Sequence, residues 1–322
     1  MQRKPIKRQT RISVIIVTRN RHRQLIDCLQ TLHSSTSKYF DLIVIDQSDK
    51  TEETEDLQSQ LAQFPSAVYV KSGQRGKSKG LNIAIQSSRA PILAFTDDDC
   101  LVDKHWLSSL SEVFYEHPDV VGVFGRTLPF KPAFHMGRVC PAFFDKSGSH
   151  NIVDPQKDLG YIGYGNNMAF RKSVFKSLGA FRWWLGPGSI GSNGEDVELA
   201  IRCLIHNQAL RYESRALVYH NRWITPLEYR IQDLSYVCGE AACYGYYALL
   251  GYEFAKYLYI YTFRLEIKHI ILLVRHLRVR VLREVASLFF WFCVKLFARL
   301  RGTLVAIYGV TVDTKNTFFV EA

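Results

Sequence analysis

Apolar and polar positions in the first hundred residues come in blocks rather than in strict alternation. Apolar, largely β-branched runs, broken only by Ser13, stand at residues 12–17, 42–45, 67–70 and 92–95. A strand covered on both faces has no solvent side to populate with polar residues, so such runs predict buried parallel strands. Helical spacing lies between them at residues 24–32, in the acidic surface segment 51–63, and from Gly76 to about Ser87. Strand and helix in turn predict an α/β fold with a Rossmann-like, mainly parallel central sheet flanked by helices. Further on, the pattern predicts helices at 105–116, 173–178 and from Glu195 through Arg202, and strands at 120–124 and 215–220. The stretch 129–165 is rich in Pro, Gly and aromatic residues without a period and reads as a binding loop.

The fourth apolar run leads directly into Asp97, Asp98 and Asp99. Adjacent ionised carboxylates raise one another's pKa, so the cluster calls for a compensating partner. On an extended backbone Asp97 and Asp99 would point to one side and Asp98 to the other. Two hard oxygen ligands could then meet a divalent cation while the third contacts a sugar hydroxyl or an ordering group. The same residues would also serve as a solvated acidic turn ahead of the following helix.

Other polar groups gather at predicted strand ends. Thr18, Arg19, Asn20 and Arg21 follow the first strand, and Asp46 to Asp49 the second. Ligands of α/β folds sit beyond the carboxyl ends of parallel strands. Gly73 to Asn82, with Gly76, Lys77 and Lys79, opens a helix and suits phosphate through free N–H groups and positive charge, although a plain basic turn fits equally. It lacks the spacing of a Walker loop. A glycine-rich run at 183–194 leads into Glu195 and Asp196. Those carboxylates either complement a helix dipole or deliver a general base from a mobile loop. His220 ends a strand and by itself reads as structural.

Composition narrows the picture. At 322 residues and 47% hydrophobic, the chain can bury a large core, and a net charge of +11 favours anionic partners. Seven scattered cysteines without a CxxC pair argue for reduced thiols in a cytosolic compartment, not for a disulfide framework or zinc site. The apolar run after the basic residues at the N-terminus is too short for a signal-peptide core. No uncharged apolar run reaches the roughly 18–20 residues of a bilayer span.

Taken in order, these residues resemble family 2 glycosyltransferases of the GT-A fold over roughly residues 11–225. The matching elements are residues 14–20, 43–46 and 75–82, the Asp97-Asp98-Asp99 form of the DxD motif, residues 165–171 with Gly179 and Phe181, Gly194-Glu195-Asp196, and Tyr219-His220. Val17, Arg19, Lys79 and Gly80 depart from the residues frequent there. The resemblance implies a nucleotide-sugar donor. Thr18, Asn20 and Asp46 would hold the base, and Gly76, Lys77 and Asn82 would face ribose and phosphate. Asp98 would face the ribose, Asp99 with Asp97 a divalent cation (Mn2+ or Mg2+), and His220 would stand near that metal. Asp196, beside Glu195, would be the catalytic base of an inverting transfer to a glycan or lipid-linked acceptor.

Beyond residue 225 the resemblance ends. Eight tyrosines lie in 236–263, and nine basic residues against Glu266 and Glu284 in 264–301. At about 100° per residue Arg264, Lys268, Arg275 and Arg278 share one helical face, which suits an anionic membrane surface, with packing on the catalytic domain or on a second subunit of a homo-oligomer as the alternative. The expected organisation is a basic arm (1–10), a GT-A catalytic domain (11–230) and a helical region (231–322), cytoplasmic and peripheral on the inner face of the membrane. A nucleic-acid partner is not expected, because the acidic triplet would repel phosphate. A metal-dependent nucleotidyltransferase and a catalytically inactive scaffold are the remaining alternatives.

Overall fold

A computed structural model describes residues 11–49, 55–132, 136–276 and 282–318. The basic arm and Arg278 lie outside the described residues. The chain opens with β1 (Ile12–Thr18), α1 (His22–His33), β2 (Phe40–Asp46), α2 (Glu55–Ala62), β3 (Val68–Lys71), α3 (Lys77–Ser87) and β4 (Ile92–Asp97). β1 lies between β2 and β4, and β3 adds to β2, all in parallel register. This register sets Thr18 opposite Asp46 and Val17 opposite Asp97, so three strands deliver their terminal polar residues to one edge. The mixed α/β architecture with a central sheet is the one the apolar runs predict.

The chain continues with β5 (Cys100–Val102), α4 (Trp106–Glu116), β6 (Val120–Pro129), β7 (Ser149–Ile152), β8 (Asn167–Arg171), α5 (Lys172–Ser177), α6 (Glu195–Ile205) and β9 (Ala209–His220). The sheet of the described residues runs β3-β2-β1-β4-β8-β6-β9-β5, with β7 paired to β9. β8 is antiparallel to both β4 and β6. Two strands exceed their predicted lengths. β9 begins at Ala209 because Leu210 and Tyr212 are buried, while Arg211 and Arg215, turned outward, hide the alternation. β6 runs on past a bulge at Gly125–Arg126, where Gly125 partners Glu213 and Arg126 partners Leu217. A Cβ at Gly125 would meet the Ala216 carbonyl oxygen at 2.2 Å, so this register requires glycine. The segment 129–165 contains β7 and a short 3-10 turn at Leu159–Tyr161 as well as loop.

Strand alternation divides the core into two layers. Val14 and Ile16 pack with Leu25, Leu29, Trp106 and Leu110 of α1 and α4. Ile15 faces the other side with Leu81, Phe175 and Leu199 of α3, α5 and α6. A fully buried side chain of this kind contributes about 1.5–3 kcal/mol.

By its internal packing the chain forms two compact units. The first comprises residues up to Phe181 together with Asp196–Pro226, and the second Arg182–Glu195 with Leu227–Ala322. The glycine-rich run at 183–194 thus belongs to the second unit. That unit is built from α7 (Pro226–Leu249), α8 (Glu253–His276) and α9 (Leu282–Phe318). Small residues let α7 and α9 approach: a Cβ at Gly302 would meet the Cys238 carbonyl at 2.2 Å and Ala241 at 2.8 Å. Trp184 is buried beside Tyr246 and lies against Gly309. Asp313 accepts a hydrogen bond from Tyr246 Oη at 2.7 Å and pairs with Arg182. Of the basic stretch 264–301, residues 264–276 lie in α8 and residues 282–301 in α9. Among the described residues, no helix is long and apolar enough to cross a membrane.

Candidate donor and metal site

The carboxylate triplet is not one extended segment. β4 ends at Asp97, Asp98 and Asp99 form a turn, and β5 starts at Cys100. The extended backbone expected to set Asp97 and Asp99 on one side is therefore absent, and the three carboxylates take different partners. Asp97 pairs with Lys77 Nζ at 2.6 Å, whereas Arg21 spans Asp98 (3.1 Å) and Asp99 (2.6 Å). Thr18 Oγ1 donates to Asp98 Oδ2 at 2.7 Å. Two loops, one after β1 and one opening α3, thus supply the cations that the repulsion demands.

The electrostatics of the three carboxylates differ. Burial raises the pKa of Asp98 to about 7; Asp99 and Asp97 add to this and Arg21 opposes it. Burial also acts on Asp97, but Lys77 and Arg21 outweigh it and hold its pKa below the ordinary value. Asp99 Oδ1 is buried and accepts no hydrogen bond among the described residues.

His220 lies 3.5 Å (Nε2) from that oxygen. Its position is fixed by the sheet, because β9 ends there between β5 and β6, with Cys100 and Pro129 as its register partners. Asn221 N–H donates to the Asp99 carbonyl at 2.7 Å, tying the turn to the strand end. Burial lowers the His220 pKa against the pull of Asp99 and Asp97, keeping the imidazole neutral and able to ligate. Asp99, Cys100 and His220 bring three donor atoms within 4.8 Å of one another. A carboxylate oxygen without a donor, a neutral imidazole and a thiol form a set that fits a divalent cation. Burial and Asp99 raise the Cys100 thiol well above its ordinary value, so oxygen and nitrogen are its readier ligands. Cys140 Sγ lies 3.4 Å from His220 Nδ1 on the side away from Asp99.

Asp46 is buried completely and saturated. It accepts from Ser48 N–H (2.8 Å), Tyr69 Oη (2.5 Å) and Lys71 Nζ (2.9 Å), with Ser48 Oγ and His22 Nε2 also in contact. Burial acts to raise its pKa, but these donors prevail and hold it far below the ordinary carboxylate range. Asn20 adopts φ +56°, a left-handed conformation Asn tolerates. Its side chain exchanges hydrogen bonds with Asp49, at 3.1 Å from Nδ2 and 3.0 Å from the Asp49 N–H. Arg19 and Arg75 complete this exposed rim on Asp49, at 3.0 and 2.6 Å.

Gly76 caps α3 at φ +112°, and its carbonyl accepts from Gln47 Nε2 at 3.0 Å. One turn on, a Cβ at Gly80 would meet Val17 at 2.7 Å, so two of the residues that depart from the family's habit pack against each other. Asn82 does not join the cluster. Its amide donates to the Phe181 carbonyl (2.8 Å) and accepts from the Phe181 N–H (2.9 Å), fixing the segment after α5.

Asp196, in the first turn of α6, has both oxygens engaged: Gly165 N–H donates to Oδ2 at 2.6 Å and Val197 N–H to Oδ1 at 2.8 Å. Burial raises its pKa, opposed by the charge of Lys77. Glu195 is buried in the second unit. The sequence places Arg21 and Asn167 within its motifs but assigns no role to them or to Cys140. Asn167 accepts from Trp106 Nε1 (2.8 Å) and donates to the Arg126 (2.7 Å) and Ala216 (2.8 Å) carbonyls, joining three elements beside the β6 bulge.

Residues 13–179, which include all of β1 but its first residue, the triplet and β8, match glycosyl transferase family 2. The chain belongs to that family. A glucosyl-dolichyl phosphate glucuronosyltransferase of Haloferax volcanii is 20% identical to this chain over 183 residues, 53% of this chain and 56% of the relative. The chain thus spans little more than half the length of that relative. Among solved structures, the mannosyltransferase PcManGT from Pyrobaculum calidifontis, in complex with GDP-Man and Mn2+, matches 97% of this chain and 88% of its own, at TM-score 0.59 and 14% identity. TarS of S. aureus (1–349), in complex with UDP, matches 72% of this chain and 66% of its own, at TM-score 0.51 and 14% identity. At these identities the likeness is one of fold, and that fold is GT-A.

Proposed function

We propose that this family 2 glycosyltransferase moves a sugar from a nucleoside-diphosphate donor to an acceptor hydroxyl with inversion, and that its donor site is the edge where β1, β2 and β4 end. The observation carrying this reading is the buried, donor-free Asp99 Oδ1 facing His220 Nε2 at 3.5 Å. Asp99 and His220, with Asp97 beside them, would hold Mn2+ or Mg2+. When bound, such an ion supplies Lewis-acid stabilisation of charge on the leaving diphosphate. The residues of the chain do the rest. The Asn20–Asp49 rim and the loop anchored by Asp46 receive the base, and Thr18 and Asp98 face the ribose. Gly76 and Lys77 present an N–H and a cation to phosphate at the start of α3. Asn82 positions this edge from behind through Phe181.

Asp196 is the base. Its raised pKa gives it proton affinity nearer neutrality, and the two backbone N–H bonds hold it in place. The acceptor proton passes to Asp196 as the acceptor oxygen bonds to the anomeric carbon. The bond from that carbon to the diphosphate breaks, and its electron pair leaves with the nucleotide. Attack from the opposite face inverts the configuration. Glu195 adds negative charge to the same helix start.

The acceptor is a glycan or a lipid-linked saccharide, in keeping with the lipid-linked substrate in the name of the Haloferax relative. The second unit exposes Tyr257, Ile260 and Tyr261 on α8 and Phe297, Leu300 and Leu304 on α9, together with the exposed Arg264 and Lys268. Apolar side chains beside cations suit a peripheral place on an anionic membrane. The test is a panel of UDP- and GDP-sugars with sugar-phospholipid acceptors, each with Mn2+ and with EDTA, followed by NMR of the product. The reading predicts an inverted glycoside formed only with the ion. A product carrying the nucleotide, or a retained configuration, contradicts it.

A further inference from the structure

The mechanism above gives no task to Arg21, although it makes the closest contact to the triplet turn. Its guanidinium lies 2.6 Å from Asp99 Oδ2 and 3.1 Å from Asp98 Oδ1. The carboxylates are almost wholly buried, while Arg21 is 38% exposed, which leaves it room to swing outward. We infer that Arg21 is a resident counter-cation of the triplet, and that it makes metal binding conditional on the donor diphosphate. This rests on the reading of Asp99 as a metal ligand.

The argument is one of charge. With Arg21 and Lys77 in place, the three carboxylates and two cations leave at most one net negative charge, a poor attraction for a free divalent ion. A unit positive charge at this range in a poorly hydrated site repels the ion strongly. A donor diphosphate brings two or more negative charges to the same edge. Arg21 can then turn from Asp99 to phosphate, where a planar guanidinium pairs in two-pronged fashion, and the carboxylate it leaves is open to the ion. Arg21 stands on the loop after β1, three residues beyond Thr18, so a side-chain rotation suffices and no element has to move. Arg21 is thus a positioning residue that couples two ligands. By linkage, the ion and the nucleotide must each strengthen the other's binding, and removing Arg21 must weaken that reciprocity.

The experiment is Mn2+ titration by EPR of the full chain, without nucleotide and with saturating UDP or GDP, for wild type, Arg21→Gln and Arg21→Lys. Thermal unfolding of each variant serves as the check on folding. Wild type is expected to bind Mn2+ weakly alone and at least roughly tenfold more tightly with nucleotide. Arg21→Gln should bind Mn2+ alone at least roughly tenfold more tightly than wild type and lose most of the nucleotide enhancement, while Arg21→Lys, which keeps the charge, should stay near wild type. Folded Arg21→Gln with unchanged or weaker Mn2+ affinity and full enhancement overturns the inference while leaving the metal site standing. Absence of Mn2+ binding to wild type even with nucleotide overturns both.

Discussion

At the scale of single residues, burial and partners separate carboxylates that look alike in sequence. Asp46 was legible as a strand-end acid, but its five contacts were not, because Tyr69, Lys71 and His22 come from β3 and α1 and converge only once the sheet forms. Its folded pKa is depressed below the unfolded value of about 3.9. The stabilisation it supplies is therefore present above about pH 4 and is lost as the pH falls further. Asp46→Asn should lower stability at pH 7 by about 1–3 kcal/mol and flatten the loss in acid, read by urea unfolding at pH 7 and pH 3. An unchanged midpoint at pH 7 would mean that the donors around Asp46 contribute nothing net. For Asp196, the raised pKa and the paired N–H bonds predict that Asp196→Asn keeps nucleotide binding by calorimetry while turnover falls about 10²–10⁴-fold. Equal losses of both would make Asp196 a donor ligand or a helix cap. The triplet was legible as a carboxylate cluster at the end of a strand. Its internal division was not, since the turn at Asp98–Asp99 depends on β5 joining β9 rather than on any local signal.

At the scale of elements, β1, β2 and β4 were readable because strands buried on both faces leave continuous apolar runs, whereas β3, expected to be buried, is a half-exposed strand at the sheet edge. The long strand β6 was cut short because Gly125 and Arg126 break its apolar run at the bulge, and β9 because Arg211 and Arg215 hide its alternation. Gly125 is the pivot of that bulge. Gly125→Ala should cost about 1–3 kcal/mol or more, since the added methyl meets the backbone of Ala216 and not a yielding side chain. A thermal midpoint equal to wild type would show that the bulge can shift without cost.

At the scale of the whole molecule, the family match covers residues 13–179, and what lies beyond has to be argued from its own surface. In the second unit the large apolar side chains exposed on α8 and α9, with Arg264 and Lys268 beside them, predict salt-sensitive binding to anionic vesicles, at about 1 kcal/mol per basic residue. Neutralising Arg264, Lys268, Arg275 and Arg278 together should release the protein while soluble-acceptor activity survives. Co-sedimentation at low and high salt checks this, and absent or salt-independent binding of wild type would assign that surface to a second subunit instead.

The central claim is that the edge built by Thr18, Asp46 and the Asp97–Asp99 turn is the metal-dependent donor site of a glycosyltransferase. Its most direct test is release of nucleoside diphosphate from UDP- and GDP-sugars by wild type and Asp99→Asn, with Mn2+ and with EDTA. Wild type should turn over only with the ion. Asp99→Asn should fold, with thermal stability in EDTA at or above that of wild type because one buried like charge is gone, and should lose at least about a hundredfold in rate. Near-normal turnover by Asp99→Asn, or turnover by wild type unaffected by EDTA, would contradict the account.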